Sequence, residues 1–246
     1  MSTTRILPPT RGLLSPPRFL CKRQPLSSLQ RTFITLPTPP PQTLTASRRL
    51  PYQHTQLYDL IADVDSYVSF LPYCQTSRVT KWTTPSFTHP RRWPTRADLT
   101  AGWGGIQETY TSRLFCIPSL GIVEAISGDA RTTLSPSDLA KHGLVDTGPN
   151  PTPTSNSGSG DGNGDGGVFK SLVTRWTVTP AGAEGEWSDV RLSIRYQFAN
   201  PLYMAVSSAV ADKVAPIMVE AFVERAKRVL GDPRKETGNK SAEASQ

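Results

Sequence analysis

NPLYMAVSSAVADKVAPIMVEAFVERAKRVLG, residues 200–231, is the longest helical pattern in the chain. With successive residues about 100° apart, Tyr203, Val206, Val210, Val214, Ile217, Met218, Ala221, Phe222 and Val229 fall in one arc of about 160°. Lys213, Glu220, Glu224 and Lys227 fall at or beyond its edge. Asn200 is a good N-cap, and Pro201 suits the first helical position. Arg225, Lys227 and Arg228 oppose the negative end of the helix dipole, and Gly231 and Pro233 stop the helix. Pro216 sits inside it on the polar side and is expected to bend it. A long helix with one wide apolar face needs a surface to lie on, so the upstream chain is read for a sheet.

Immediately before this helix, Val190, Leu192, Ile194, Tyr196 and Phe198 alternate with Arg191, Ser193, Arg195 and Gln197, the pattern of a half-buried strand. Leu172, Thr174, Trp176 and Val178 alternate in the same way. Further back, residues 42–50 read as an edge strand with Leu44 and Ala46 inward. Residues 53–64 read as a helix, and a short second helix runs from Asp65 to Phe70. Strands are expected at 76–82, 97–103, 106–116 and 120–127, with loops at 83–94 and at Gly104-Gly105. No βαβ rhythm appears, so the sheet is antiparallel. The expected fold is α+β: a curved antiparallel sheet of six to seven strands gripping the C-terminal helix, with two short helices after the first strand. Such a grip leaves a cavity between sheet and helix.

Composition divides the chain. Residues 1–50 hold seven Arg and one Lys, and no acidic residue precedes Asp59. The remaining 19 basic and 20 acidic residues leave a net −1, which removes the main support for nucleic-acid binding. An acid-free start rich in Arg, Ser and Thr has the composition of a mitochondrial transit peptide; a disordered basic tail is the other reading. The transit peptide and a proline linker are assigned to 1–41, the folded domain to 42–231 and a disordered tail to 232–246. Residues 132–167, rich in Gly, Ser, Pro and Asn, are expected to be a disordered, dispensable insertion. No apolar run reaches the ~20 residues of a spanning helix, so membrane contact is expected to be peripheral. Cys21, Cys74 and Cys116 form no CxxC, and His54, His89 and His142 have no metal-ligand spacing. DGNGDG at 161–166 opens like a calcium loop, but Leu172 stands where the chelating Glu belongs. No metal or cofactor site is expected.

Four strings, LYDLIADVDSYVSFLPYC (57–74), ETYTSRL (108–114), VFKSLVTRW (168–176) and FANPLYMAVSSAVADKVAPIMVEAFVERA (198–226), resemble the coenzyme Q-binding protein family of the START-like, polyketide cyclase-like superfamily. The resemblance implies a helix-grip fold in mitochondria. It also implies ubiquinone as a bound ligand, held by a non-enzymatic carrier or chaperone that supports respiratory electron transport and coenzyme Q biosynthesis. The partners it implies are the matrix side of the inner membrane and the coenzyme Q biosynthesis complex. It carries over no catalytic residue. Two rivals remain: a cyclase-like or biosynthesis-assisting enzyme on a quinone precursor, with Glu108 the first residue to test, and a ribosome-associated module, which needs a basic patch on the folded domain.

Candidate lining residues come from three places. Phe70, Leu71, Pro72 and Tyr73 read as the cavity mouth or as a helix end packed on the sheet. Val206, Val210, Val214, Ile217 and Met218 read as the tunnel wall or as plain core. Glu108 and Tyr110 share strand parity with Ile106 and Leu114; Glu108 reads as a carboxylate on the cavity face, able to hydrogen-bond a quinol, or as one turned to solvent by a local bulge.

Overall fold

The computed structural model describes residues 40–85, 90–103, 106–148, 169–182, 186–199 and 202–231, without the side chains of 103, 106 and 202–211. The expected transit peptide, the tail from 232, the cap at Asn200 and Pro201, and the insertion from 149 to 168 lie outside these residues. The described residues fall in one compact unit.

Seven strands form one antiparallel sheet in the order β1-β7-β6-β5-β4-β3-β2. They are β1 Gln42–Leu50, β2 Cys74–Trp82, β3 Pro94–Trp103, β4 Ile106–Ile117, β5 Ile122–Gly128, β6 Phe169–Ala181 and β7 Trp187–Phe198. Helix α1, His54–Ala62, and a 3-10 helix, Val64–Ser69, follow β1; α2, Pro136–Lys141, follows β5; α3, Leu202–Leu230, ends the fold. β1 is an edge strand with Leu44 and Ala46 half-buried, as its alternation predicts. Along β7, Val190, Leu192, Ile194, Tyr196 and Phe198 are all buried, and none of the residues between them is.

Register sorts the side chains into two faces. Ala97, Leu114, Cys116, Val123, Trp176, Val178, Val190 and Leu192 face α1 and α3 and build the main core. Phe115, Ile117 and Ile126 point the other way. They are covered by a strap, residues 130–148, that crosses the outer face and buries Leu139 and Leu144 against them.

The strap corrects the expectation of disorder from 132 onward: residues 132–148 are folded. Ser135 caps α2 by accepting from the Asp138 N–H at 3.1 Å, and a proline follows in the first turn. Buried Arg113 pairs with Asp146 and donates to the Ala130 carbonyl. Glu124, fully buried, receives Thr132 and Arg175, and Arg175 also donates to Thr133. The strap leaves β5 through Gly128, at φ 69°; a Cβ there would stand 2.2 Å from the Lys170 carbonyl oxygen, so only glycine fits. Three leucines, Leu134, Leu139 and Leu144, were hidden by the average composition around them.

Helix α3 runs continuously through Pro216 and stops where Gly231, at φ 87°, donates to the Lys227 carbonyl. Its rotation differs from expectation. The buried seam of its second half is Ala215, Val219, Phe222, Val223 and Ala226. Val214, Met218 and Ala221 are only half-buried at the seam's border, and Val229 is exposed. Ile217, 36% exposed, lies on the opposite side of the helix and is removed from the expected lining. Small Ala215 and Ala226 let the helix axis approach the sheet, so the seam follows side-chain size as well as hydrophobicity.

Candidate functional site

The two ends of the grip differ. At one end Leu50, Val178, Val190 and Leu192 are buried. The Phe222 ring fills the space between sheet and helix, 4.4 Å from Trp176, 5.4 Å from Tyr67 and 4.9 Å from Phe70 by centroid. Tyr52 closes this end by donating to the Gly231 carbonyl at 2.8 Å, while Ser188 donates to the Tyr52 carbonyl at 2.7 Å. Aromatic rings and buried aliphatic side chains pack this end.

At the other end β2, β4 and β6 begin, β3 and β7 finish, and α3 starts. The residues that face the helix change character along each strand. On β3, buried Ala97 gives way to half-buried Leu99 and Ala101. On β4, buried Leu114 gives way to half-buried Tyr110 and Glu108. On β6, buried Trp176 gives way to half-buried Thr174, Leu172 and Phe169. Pairing joins them across the sheet: Cys74 to Ala101, Ala101 to Glu108, Leu99 to Tyr110, and Leu172 to Tyr196. Phe169 stacks on Phe198 at 5.2 Å and meets the Tyr196 ring edge-on. This open end is an apolar surface under the first half of α3.

Polar groups interrupt it: Thr174, the buried pair Ser112 and Ser127 with their hydroxyls 2.8 Å apart, and a spot around Tyr110. Burial pushes the Tyr110 hydroxyl up to about 12, and the nearby Cys74 and Glu108 add to the rise. Burial also raises the Cys74 thiol. The three groups therefore sit together, with Tyr110 protonated and able to donate at neutral pH. Cys74, which no sequence motif marks, belongs to this spot.

The expected mouth resolves into two roles. Phe70 is anchored among Tyr67, Phe222 and Arg225, whose guanidinium carbon lies 5.5 Å over the Phe70 ring. Leu71 is buried and Pro72 half-buried. Tyr73 is 39% exposed and, among the described non-glycine residues, alone has positive φ, 66°. That conformation costs a non-glycine residue about 1–2 kcal/mol. It is held by the Gly102 N–H, which donates to the Tyr73 carbonyl at 2.9 Å. Strain of this kind concentrates at functional sites. Val214 and Met218, near the middle of α3, pack half-buried against the main core, and the side chains of Val206 and Val210 lie outside the described residues.

Among the described residues there is no cluster suited to a metal, and no helix long and apolar enough to cross a membrane. The family described as polyketide cyclase/dehydrase and lipid transport matches residues 50–132 and 159–223. The mitochondrial coenzyme Q-binding protein of Schizosaccharomyces pombe is 30% identical over 183 residues, covering 74% of this chain and 85% of that protein. The ribosome association toxin RatA of Escherichia coli K12 is 27% identical over 180 residues, 73% of this chain and 84% of that protein. A START superfamily protein of Mycobacterium smegmatis shares the fold at a TM-score of 0.50 and 9% identity, over 76% of this chain and 98% of that one. The strings that carried the resemblance now stand on α1, β4, β6 and α3 of a sheet closed around a helix, and the chain belongs to the polyketide cyclase/dehydrase and lipid transport family, with mitochondrial coenzyme Q-binding proteins among its relatives.

Proposed function

We propose that this chain binds ubiquinone at the open end of the grip and acts as a carrier rather than an enzyme. The observation that carries the reading is the set of half-buried apolar residues at the open end, Leu99, Leu172 and Phe169 on the inner face of the sheet, beside the protonated hydroxyl of Tyr110, with half-buried Val214 and Met218 on α3. A relative of the chain bears coenzyme Q binding in its name. A quinone carbonyl accepts hydrogen bonds only, which suits Tyr110 as donor; a quinol hydroxyl donates, which suits Glu108. The isoprenoid tail lies along the apolar surface, roofed by α3 with Val206 and Val210 on its first half. Tyr73 stands at the rim, with Leu71 and Pro72 behind it.

Each methylene withdrawn from water contributes about 0.8 kcal/mol, so a long polyisoprenoid has no useful aqueous lifetime and needs a protein to present its head group. In this reading the protein works in mitochondria, peripherally on the matrix side of the inner membrane. There it supplies quinone to respiratory electron transport and to the coenzyme Q biosynthesis complex. Mass spectrometry of lipid extracted from protein purified from mitochondria tests it. A quinone at near-equimolar amount is expected; purified protein with no quinone, or with a precursor that it converts, would overturn the carrier reading.

A further inference from the structure

A second site lies on the opposite face of the sheet. The strap, β6 and β7 enclose a groove of about 460 Å³. Arg131 of the strap, Lys170 and Arg175 of β6, and Arg195 of β7 line it, together with Ser171, Thr133 and Ser193. Two carboxylates share the groove, Glu124 and Asp129. Glu124 is already satisfied: Arg175 and Thr132 both donate to it. Arg131, Lys170 and Arg195 are exposed, and no carboxylate among the described residues forms an ion pair with them. Three cations and several hydroxyls thus converge on one concave place.

Its position has a consequence. Lys170 follows Phe169, Arg195 pairs with Val173, and the backbone N–H of Asp129 donates to the Lys170 carbonyl at 3.0 Å. These are the strand ends that form the open end of the grip on the inner face. The basic groove and the apolar opening are therefore the outer and inner sides of one end of the sheet.

We propose that this groove binds the phosphate of an anionic phospholipid head group and seats the open end on a membrane surface. Charge complementarity selects an anion. The site is local, and the chain beyond residue 50 has a net −1, so there is no extended basic track for a polynucleotide. A bilayer presents head-group phosphates at the same boundary from which an apolar tail must leave, and the two sides of this sheet end match that layering. The proposal deepens the quinone reading through this shared end, but vesicle binding and quinone content are separate measurements.

The test uses the full chain, so the basic first fifty residues are common to every variant. R131Q/K170Q/R195Q is compared with R78Q/K81Q/R228Q, which removes three exposed cations elsewhere. Binding is read by sedimentation with vesicles of phosphatidylcholine alone or with about one-third phosphatidylglycerol, at an ionic strength of about 0.1 M. A basic residue at an anionic surface contributes about fivefold in affinity, so the groove variant is expected to lose on the order of a hundredfold for anionic vesicles. The control variant should stay within about threefold, and both should keep the wild-type melting curve and quinone content. Equal losses in the two variants would show diffuse charge and overturn the proposal. So would a groove variant that binds anionic vesicles normally but loses single-stranded RNA, or a wild-type protein that takes up inorganic phosphate yet ignores anionic vesicles.

Discussion

Replacing residues 135–166 by a short Gly-Ser turn removes α2, Leu139, Leu144 and Asp146 from the outer face. Leu139 and Leu144 are 5% and 7% exposed. Burying each such side chain contributes about 1.5–3 kcal/mol, and residual burial in the unfolded chain trims the pair to about 2–4 kcal/mol. The deletion opens the face to water, so Arg113, deprived of Asp146, is hydrated rather than stranded, and the ion pair adds little to the loss. At about 2–4 °C per kcal/mol for a domain of this size, the melting temperature should fall by about 5–15 °C. Replacing 149–168 alone keeps the strap; with the Gly-, Ser- and Pro-rich composition of a linker there, the change is expected to cost only logarithmically in length, so the melting temperature should move by less than about 2 °C. Thermal melts followed by circular dichroism on the two variants, with the wild type, make the comparison. Coincident curves for the two deletions would refute the claim that 132–148 is part of the fold, and would return that segment to the disordered insertion its composition suggests.

Val214→Trp places an indole at a half-buried position of α3; if this face lines the quinone site, the expected result is a melting temperature within about 2 °C of wild type with at least about tenfold less extracted quinone per folded mole. Full quinone occupancy in a well-folded Val214→Trp protein would remove this part of α3 from the site. Gly128→Ala forces a Cβ against the Lys170 carbonyl at positive φ, and should cost at least about 1–2 kcal/mol in a guanidinium titration; a neutral result would mean that the strap leaves β5 by another path. Stability should also fall in alkali. Burial raises Cys116 from 9.0 and Tyr110 from 10.0, each to about 12, so the unfolded chain loses these protons first. Their contribution is intact below pH about 9 and is lost as pH rises toward about 12, which melting temperatures across that window will show; a flat profile would place both groups in water.

Much of the fold could be read in one dimension. The alternation of Val190 to Phe198 is a statement about one strand and one buried face, and it holds residue for residue. The stop at Gly231 depends on local backbone geometry, and it holds as well. The rotation of α3 did not follow, because an apolar stripe says that a helix is buried but not how deeply each position goes. The sheet resolves this by drawing small Ala215 and Ala226 inward and leaving Ile217 to solvent. The strap failed for a related reason: three leucines in a Gly-, Ser- and Pro-rich segment carry no signal until Phe115, Ile117 and Ile126 offer them a surface.

The candidate sites divide along the same line. Strand parity in the sequence is enough to place Glu108 and Tyr110 on the inner face. Their meeting with Cys74 required the β2–β3–β4 register, because pairing between strands, not order along one, sets which side chains become neighbours. The outer groove is more strictly tertiary. Arg131, Lys170 and Arg195 come from three separate segments, and each taken alone is an ordinary exposed cation. Outside the strap and its helix α2, sequence by itself determined which segments would be helix or strand and which face each strand would bury, because those depend on periodicity and local geometry. Tertiary structure alone decided which distant charges converge and where the grip stays open, because both depend on contacts between residues far apart in the chain.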